Sequence, residues 1–432
     1  LKQSPDTAHL AHWMHALDLP MIPQSQSEKR QVVQQLEEKL AHQDFAFTHF
    51  SDFSQWDIFP PYILAYYGFD DRQLREDFAQ RILQTDLFPT LTPAEKSRTH
   101  PRVGFVVTPG HEGVFIKCMG GMIRALQNHF DVSIVCMQPN GKSILVQTLP
   151  DCQYLELPND LWAAAQTLQK KDFDLLYYWE IGTGAHNYFL PFFRTARKQV
   201  ASWGWPVTSG LPYIDAYFSS QHLEPPTGQN HYTEPLLQGS RLLTYYTPPT
   251  RPAMEPPRHM PSKDTANIYL CTQNLRKVQP EMDSLLAGIL NADPRAKIFF
   301  IADKLPTLHQ RLQARWSRQN MDLERLHILP RMNEQEYLNW VRHASVILDT
   351  PCYTGGANTN YDAFQMGTPV VTREGHLHRA RYTAAAYRQM GYTACIAQDD
   401  TEYIQQALRI AQDNAYRHEV SSQIQAKRHV LF

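Results

Sequence analysis

Short apolar, β-branched runs alternate with amphipathic stretches along most of this chain. From residue 102 onward the alternation predicts strands separated by helices, which is typical of a parallel sheet with helices on both faces. The predicted strands of the first half are 102–107, 131–136, 173–179 and 199–203. Those of the second half are 267–272, 297–301, 326–329, 346–349, 369–372 and 393–397. The expected fold class is therefore α/β, with two open sheets.

Two stretches interrupt this alternation. Residues 1–98 carry helical patterns and few strand signals, and the proline-rich stretch 246–261 favours an extended connector. These features predict a helical amino-terminal region (1–98), a first α/β domain (99–247), a linker (248–263), a second α/β domain (264–400) and carboxyl-terminal helices (401–432). Because ligands of such sheets bind at the carboxyl ends of strands, the two domains are expected to face each other across a cleft.

The stretch 345–372 has the pattern strand, glycine turn, helix, strand. The glycines at 355–356 allow the backbone to approach a ligand closely. Residues 358–360 then open a helix, where free N–H groups and the helix dipole favour an anion. Asp362 follows in the first turn, within reach of a polar group beside that anion. The stretch could hold a diphosphate, although an ordinary strand-to-helix connection explains the pattern equally well without a preceding Gly-x-Gly.

Three further loops carry candidate chemistry. His111 lies between glycines at the end of the first strand, where an imidazole could act as a general base or simply belong to a surface loop. Lys277, with Gln273 nearby, precedes a helix and could neutralise a departing diphosphate without a metal. The aromatic, glycine-rich loop 203–210 could form the wall of a sugar pocket or cap the core.

Composition narrows the classes of partner. Of the 432 residues, 43% are hydrophobic and 19% are charged. These proportions are typical of a globular protein. A net charge of −2 gives no reason to expect a nucleic-acid partner. No apolar run reaches the ~20 residues of a membrane span. Six scattered cysteines without a Cys-x-x-Cys pair favour free thiols in a reducing cytoplasm. Because no basic-then-apolar leader follows Leu1, we expect a piece of a longer chain rather than a secreted precursor.

Taken together, the motifs resemble glycosyltransferase family 41, that is, the catalytic region of protein O-linked N-acetylglucosamine transferases and SPINDLY-like proteins. The resemblance spans roughly residues 55–415. The segments that carry it are 100–105 with His111, 199–210 with Asp215, 273–277, 347–351 and 358–372. Residues 356–360 also resemble the bacterial cytoplasmic N-glucosyltransferases.

The resemblance implies a GT-B fold, in which two Rossmann-like domains face a cleft. The first domain would form the acceptor side and the second the UDP-sugar side. It also implies an inverting, metal-independent enzyme that needs no cofactor and moves a sugar from a UDP-sugar to a polypeptide. The catalytic positions would be His111 and Lys277. The UDP-sugar positions would be Gln273, Lys277, Met332, Asn358, Thr359, Asn360 and Asp362. A sugar or acceptor pocket would include Gly182, Thr183, Gly204, Thr208 and Gly210.

The chain also departs from the family pattern. The tetratricopeptide array that presents protein acceptors in the family does not occur in this sequence. Ala357 replaces a phosphate-contacting histidine, Val207 replaces a glycine in a shortened loop, and Glu334 replaces a lysine near the uracil. UDP-N-acetylglucosamine with Ser or Thr is the first donor–acceptor hypothesis, and UDP-glucose with Asn the second. A non-catalytic UDP-sugar-binding module and transfer to a glycan or small molecule remain open.

Overall fold

The computed structural model of the chain describes residues 8–42, 47, 49–50, 55, 57–91, 93, 98–137, 141–251, 255–356 and 358–432. Within these residues the amino-terminal region is helical, as predicted. Its helices are α1 (Ala8–Leu17), α2 (Gln26–His42), α3 (Leu64–Tyr67) and α4 (Arg72–Leu83). Leu74, Phe78 and Ile82 of α4 are buried in the same apolar cluster as strand residues of the first domain. The region therefore shares a core with that domain.

The first α/β domain is built on a parallel sheet of seven described strands. They are β1 (Arg102–Val106), β2 (Asp131–Met137), β3 (Gln153–Leu157), β4 (Leu175–Tyr178), β5 (Lys198–Ser202), β6 (Ala216–Ser220) and β7 (Leu236–Gly239). The order is β3-β2-β1-β4-β5-β6-β7. The helices between them are α5 (Glu112–Leu126), α6 (Gly141–Thr148), α7 (Leu161–Lys171) and α8 (Ala185–Phe189). The direction of the connections reverses between β1 and β4, which places a crevice at the carboxyl ends of these two strands.

The sequence prediction missed β3, β6 and β7. β3 and β7 are the edge strands of the sheet, and their partly exposed residues leave only a weak apolar pattern. β6 is buried but ends in Ser219 and Ser220, both fully inaccessible, so its burial cannot be recognised from hydrophobicity.

The second α/β domain repeats the arrangement. Its described strands are β8 (Asn267–Cys271), β9 (Ala296–Ile301), β10 (Leu326–Leu329), β11 (Val346–Leu348), β12 (Val370–Arg373) and β13 (Ile396–Ala397). They are all parallel, in the order β10-β9-β8-β11-β12-β13. The helices are α9 (Pro280–Ala292), α10 (Pro306–Arg318), α11 (Glu334–His343), α12 (Thr359–Met366), α13 (Tyr382–Gln389), α14 (Asp400–Gln412) and α15 (Asn414–Lys427). The crevice of this domain lies between β8 and β11.

Local sequence explains the elements that frame this second crevice. All five residues of β8 are buried, as expected for a central parallel strand. The side chain of Asn333 caps α11 by accepting a hydrogen bond from the backbone N–H of Glu336 at 2.9 Å. Gly367 ends α12 with a φ of 79°. This left-handed conformation favours glycine at the end of a helix. These elements hold the loops after β8 and β11 in place.

The two domains are joined by buried polar contacts. The Tyr382 hydroxyl of the second domain donates a hydrogen bond to the carbonyl of Trp203 in the first. His378 Nδ1 lies 2.8 Å from Glu224 Oε1, and both side chains are almost fully buried. These contacts hold the carboxyl ends of the two sheets close together. In the part of the chain that the structure describes, no helix is both long enough and apolar enough to cross a bilayer.

Candidate active site

The first crevice brings together a histidine and a carboxylate. His111 follows β1 and caps α5, whereas Glu180 follows β4. His111 Nδ1 lies 2.7 Å from Glu180 Oε2, and the Glu180 side chain is 8% exposed against 42% for His111. The hydrogen bond with Glu180 raises the pKa of His111, and burial partly opposes this effect. The imidazole is thus oriented from behind by a buried carboxylate and faces outward.

An asparagine fixes the loop that follows Glu180. The Oδ1 atom of Asn187 accepts hydrogen bonds from the backbone N–H groups of Gly182 and Gly184 at 3.1 and 3.3 Å. Its Nδ2 atom donates to Thr108 Oγ1 at 2.7 Å and to Thr183 Oγ1 at 2.9 Å. Gly182 has a φ of 95°. An L side chain rarely adopts this conformation. The predicted pocket positions Gly182 and Thr183 therefore lie next to the His111–Glu180 pair in a rigid loop.

Aromatic rings connect this pair to the second domain. Trp205, from the predicted sugar-wall loop, clusters with Tyr66 and Tyr353, with ring centres 5.0–6.2 Å apart. A Cβ on Gly204 would come within 2.5 Å of the Trp179 carbonyl, so only glycine lets this loop pass so close to the end of β4. The wall combines residues of the helical region, the first domain and the second domain.

Two other predicted pocket residues serve packing in this structure. The Thr208 hydroxyl donates to Glu234 Oε2 at 2.6 Å, and the residue is 1% exposed. Gly210 has a φ of 76°, and a Cβ there would lie 2.5 Å from the Arg75 carbonyl. Of the loop 203–210, Trp205 and Val207 pack in the apolar cluster with Tyr353, and Gly204 passes beside Trp179.

The second crevice gathers the predicted phosphate and cation residues. Gln273 follows β8 and donates from Nε2 to Thr359 Oγ1 at 2.7 Å. Lys277 Nζ donates to Gln273 Oε1 at 3.0 Å and to the Thr354 carbonyl at 2.9 Å. A Cβ on Gly355 would lie 2.9 Å from Thr359 Oγ1. The lack of a side chain at Gly355 thus leaves room for the Thr359 hydroxyl, and the predicted approach of a ligand to this turn stays a prediction.

The surroundings of Lys277 tune its charge. Its Nζ lies 4.3 Å from the ring centre of Tyr353 in the aromatic wall. Burial lowers the pKa of Lys277 to about 8, opposed by the charge of Asp349. Burial also raises the pKa of Asp349 to about 6, although the Thr372 hydroxyl bonds to it at 2.9 Å. Lys277 is therefore a cation at neutral pH, held in place by oxygen acceptors.

The start of α12 lies at the boundary between the domains. Asn358 immediately precedes the helix, and its Oδ1 atom is 3.5 Å from the Cys118 thiol of α5. Asn360 is buried, and its Nδ2 atom has no hydrogen-bond partner among the described residues. Asp362 Oδ1 accepts hydrogen bonds from the Tyr246 hydroxyl at 2.5 Å and from Lys117 Nζ at 3.2 Å. The helix start therefore offers a buried donor and a buried carboxylate.

The nucleobase side is less sharply defined. Met332 lies in the loop between β10 and α11, partly buried against the core of the second domain. Glu334, where the family pattern has a lysine, is 66% exposed and lies 3.5 Å from Lys117. The predicted departure at Ala357 lies outside the described residues.

Sequence reasoning missed three polar residues of this site. Glu180, Lys117 and Tyr246 contact candidate residues but belong to no motif. Glu180 is 69 positions from His111, and Lys117 is 245 positions from Asp362. For Glu180 a weak signal existed, because it directly follows an apolar strand.

The comparisons with known proteins point to one family. A family model described as Glycosyl transferase family 41 matches residues 256–431. A probable UDP-N-acetylglucosamine–peptide N-acetylglucosaminyltransferase SPINDLY of Solanum lycopersicum is 26% identical over 227 residues, which cover 51% of this chain and 24% of the relative. The protein of the same name from Arabidopsis thaliana is 25% identical over 227 residues, with the same coverage. The chain thus matches about a quarter of the length of these relatives.

A solved structure supports the fold. A mutant of the O-GlcNAc transferase of Thermobaculum terrenum superposes with a TM-score of 0.72 and 22% sequence identity. The match covers 94% of this chain and 78% of the other. Together with the two parallel sheets, it confirms the predicted GT-B architecture with a helical amino-terminal region.

Proposed function

We propose that the chain, whose residues 256–431 match the glycosyltransferase family 41 model, is a metal-independent, inverting glycosyltransferase that moves a sugar from a UDP-sugar to a polypeptide side chain. One observation carries the proposal. Lys277 Nζ of the second domain lies 4.3 Å from the Tyr353 ring, and Glu180, the first-domain carboxylate that holds His111, is close enough to the same aromatic wall for its charge to raise the pKa of Tyr66 and Tyr353. A donor bound between His111 and Lys277 would have a base on one side of its sugar and a cation at its diphosphate.

The second domain supplies the donor site. The diphosphate would lie at the start of α12, where backbone N–H groups and the Asn360 amide can donate to it. Lys277 would neutralise the charge that develops on the departing UDP, in the role that a divalent ion fills in other transferases. Asp362 would accept hydrogen bonds from the ribose hydroxyls, and the backbone at Met332 would contact the uracil.

The first domain supplies the acceptor side. With Nδ1–H donated to Glu180, the other ring nitrogen of His111 is basic and can take the proton of an acceptor hydroxyl. The acceptor oxygen would attack the anomeric carbon as the bond to the diphosphate oxygen breaks. This single displacement inverts the anomeric configuration and releases UDP beside Lys277.

The hypotheses for the donor sugar and the acceptor residue come from the names of the matched proteins and from the sequence. The names of the matched proteins favour UDP-N-acetylglucosamine and a peptide, so Ser or Thr is the first acceptor to test. UDP-glucose with Asn is the second pair. The six cysteines of the chain are all buried and none forms a disulfide, so we propose the reducing cytoplasm expected from the sequence as the location.

A donor panel with intact-mass detection on candidate acceptor proteins, including the chain itself, tests the proposal. With the correct UDP-sugar, we expect the mass of the acceptor protein to increase by one sugar. The His111→Ala variant should produce no such increase. His129→Ala is the matched control, because His129 is an exposed residue just beyond the far end of the helix that His111 caps. UDP-sugar binding without hydrolysis or transfer to any acceptor would support a non-catalytic module instead. Full transfer by His111→Ala would remove the histidine from the chemistry.

A further inference from the structure

Lys117 of α5 lies at the border between the two domains, close to the proposed nucleotide site. Its Nζ atom is 3.2 Å from Asp362 Oδ1 and 3.5 Å from Glu334 Oε1. It also lies 4.9 Å from the ring centre of Tyr246. A single ammonium of the first domain thus meets two carboxylates of the second.

The contact with Asp362 is shielded from water. The side chains of Lys117 and Asp362 are 24% and 6% exposed, whereas Glu334 is 66% exposed. A carboxylate buried to this degree is costly when charged unless a cation or hydrogen-bond donors compensate it. Lys117 and the Tyr246 hydroxyl provide that compensation, and both bond to the same oxygen of Asp362.

The groups that face Asp362 act in opposite directions. Burial raises the pKa of Asp362, the charge of Glu334 raises it further, and Lys117 and the Tyr246 hydroxyl lower it. Two further titratable groups, Cys118 and Tyr337, also face this carboxylate. Burial raises the pKa of both, so they stay neutral at physiological pH. Lys117 is therefore the cation that opposes protonation of Asp362.

We propose that Lys117 is a positioning residue for the donor nucleotide. It keeps Asp362 ionised and aimed at the ribose hydroxyls, and it offsets the charge of Glu334 beside the nucleobase. The inference rests on the proposed function, because it takes a uridine nucleotide as the ligand of Asp362.

In Lys117→Met, the buried carboxylate of Asp362 still faces the charge of Glu334. Only the hydrogen bond from the Tyr246 hydroxyl then stabilises its ionised form. The pKa of Asp362 then rises. At a pH below that raised pKa, Asp362 must first lose its proton before it can accept hydrogen bonds from two ribose hydroxyls. Donor affinity should consequently fall by about tenfold for each pH unit below the raised pKa. At alkaline pH, where Asp362 is ionised, the loss should be limited to about tenfold.

Calorimetric titration of the full chain with UDP-N-acetylglucosamine, and in parallel with UDP-glucose, measures this effect without an acceptor. The titrations run from about pH 5.5 to about pH 8.5, a range in which the phosphodiester groups of these donors do not titrate. The variants are Lys117→Met, Lys117→Arg and the double variant Lys117→Met/Glu334→Gln, which removes the carboxylate of Glu334. Lys142→Met is the matched control, because Lys142 forms an exposed ion pair with Glu156 elsewhere in the first domain.

The expected result is one shared pH profile for the wild type, the Arg variant and the control, nearly flat below the pKa of Lys277 at about 8. Lys117→Met should show an additional acid-dependent loss of affinity that persists in the double variant. A Met variant with the affinity and pH profile of the wild type would overturn the inference. So would an equal loss at every pH that Arg does not restore, because that is the signature of a merely structural residue. A wild-type chain that binds neither donor refutes the proposed function as well, so the two failures are distinguishable.

Discussion

Replacing Lys277 by Met should separate the chemistry of the site from the stability of the fold. A unit charge about 4 Å from a developing phosphate charge contributes about 4 kcal/mol at an effective dielectric constant of about 20. That energy corresponds to about a thousandfold in rate. Loss of one electrostatic stabiliser of a transition state costs roughly 10²–10³ in other enzymes. We therefore expect kcat to fall about a thousandfold, with a smaller change in KM.

Stability should respond in the opposite direction. Folding lowers the pKa of Lys277 from its ordinary 10.5 to about 8. A cation with a lowered pKa destabilises the fold at pH values below about 8, and this cost fades as pH rises towards 10.5. The difference corresponds to roughly 3 kcal/mol at neutral pH. Met removes this cost but leaves Gln273 Oε1 and the Thr354 carbonyl without a donor. Losing that donor costs about 1–2 kcal/mol. The free energy of unfolding should stay level or rise.

The assay combines transfer kinetics with thermal unfolding of the wild type, Lys277→Met and the control Lys304→Met, which alters an exposed lysine of the same domain. The wild-type rate should also decline as pH rises through about 8, because Lys277 then loses its proton. Wild-type kcat in Lys277→Met would refute the assigned role. A loss of kcat accompanied by a Tm drop of several degrees would instead show that the lysine supports the fold.

Three further substitutions test the geometry of the site. Glu180→Gln removes the strongest influence that raises the pKa of His111. The acidic limb of the pH profile of kcat/KM should therefore move to lower pH by about one unit. An unchanged pH profile would show that Glu180 does not set the pKa of His111. Gly355→Ala places a Cβ 2.9 Å from Thr359 Oγ1. It should weaken UDP binding about tenfold in calorimetry, and unchanged affinity would show that the turn does not shape the site. Gly210→Ala places a side chain on a residue with a left-handed φ and brings its Cβ into a clash with the Arg75 carbonyl. Urea unfolding should show a loss of about 2 kcal/mol or more, and a loss below about 1 kcal/mol would contradict this reading.

The parts of the fold that were predictable are those whose pattern is local. The strand 326–329 was predicted with the bounds that the structure gives it, because a largely apolar run lies between Arg325 and Pro330. The cap at Asn333 was predictable because a capping side chain acts only three residues away. β6 was missed because only its residues 216–218 are apolar and the buried Ser219 and Ser220 cut the hydrophobic run short.

In the candidate site, too, the features that were predictable are those with a local sequence pattern. The glycine turn at 355–356 and the helix that follows form one continuous motif, so this strand–turn–helix arrangement could be inferred from sequence. Thr208 and Glu234 show the reverse situation. A threonine in an aromatic, glycine-rich loop suggests a pocket. In the structure, the carboxylate of Glu234, 26 positions away, accepts its hydrogen bond, and no local sequence pattern predicts that partner.

The residues missed by sequence reasoning are those that connect the two halves of the site. The helix α5 directly follows His111, and its residues Lys117 and Cys118 contact Asp362 and Asn358 at the start of α12. A helix is stiff over two turns, so a ligand that orders the start of α12 also orders the end of α5 at which His111 lies. Sequence separation conceals this coupling, because each motif is complete by itself and the contact between them exists only after both sheets have formed. Under the proposed function, donor binding and the placement of His111 would therefore be linked through one helix.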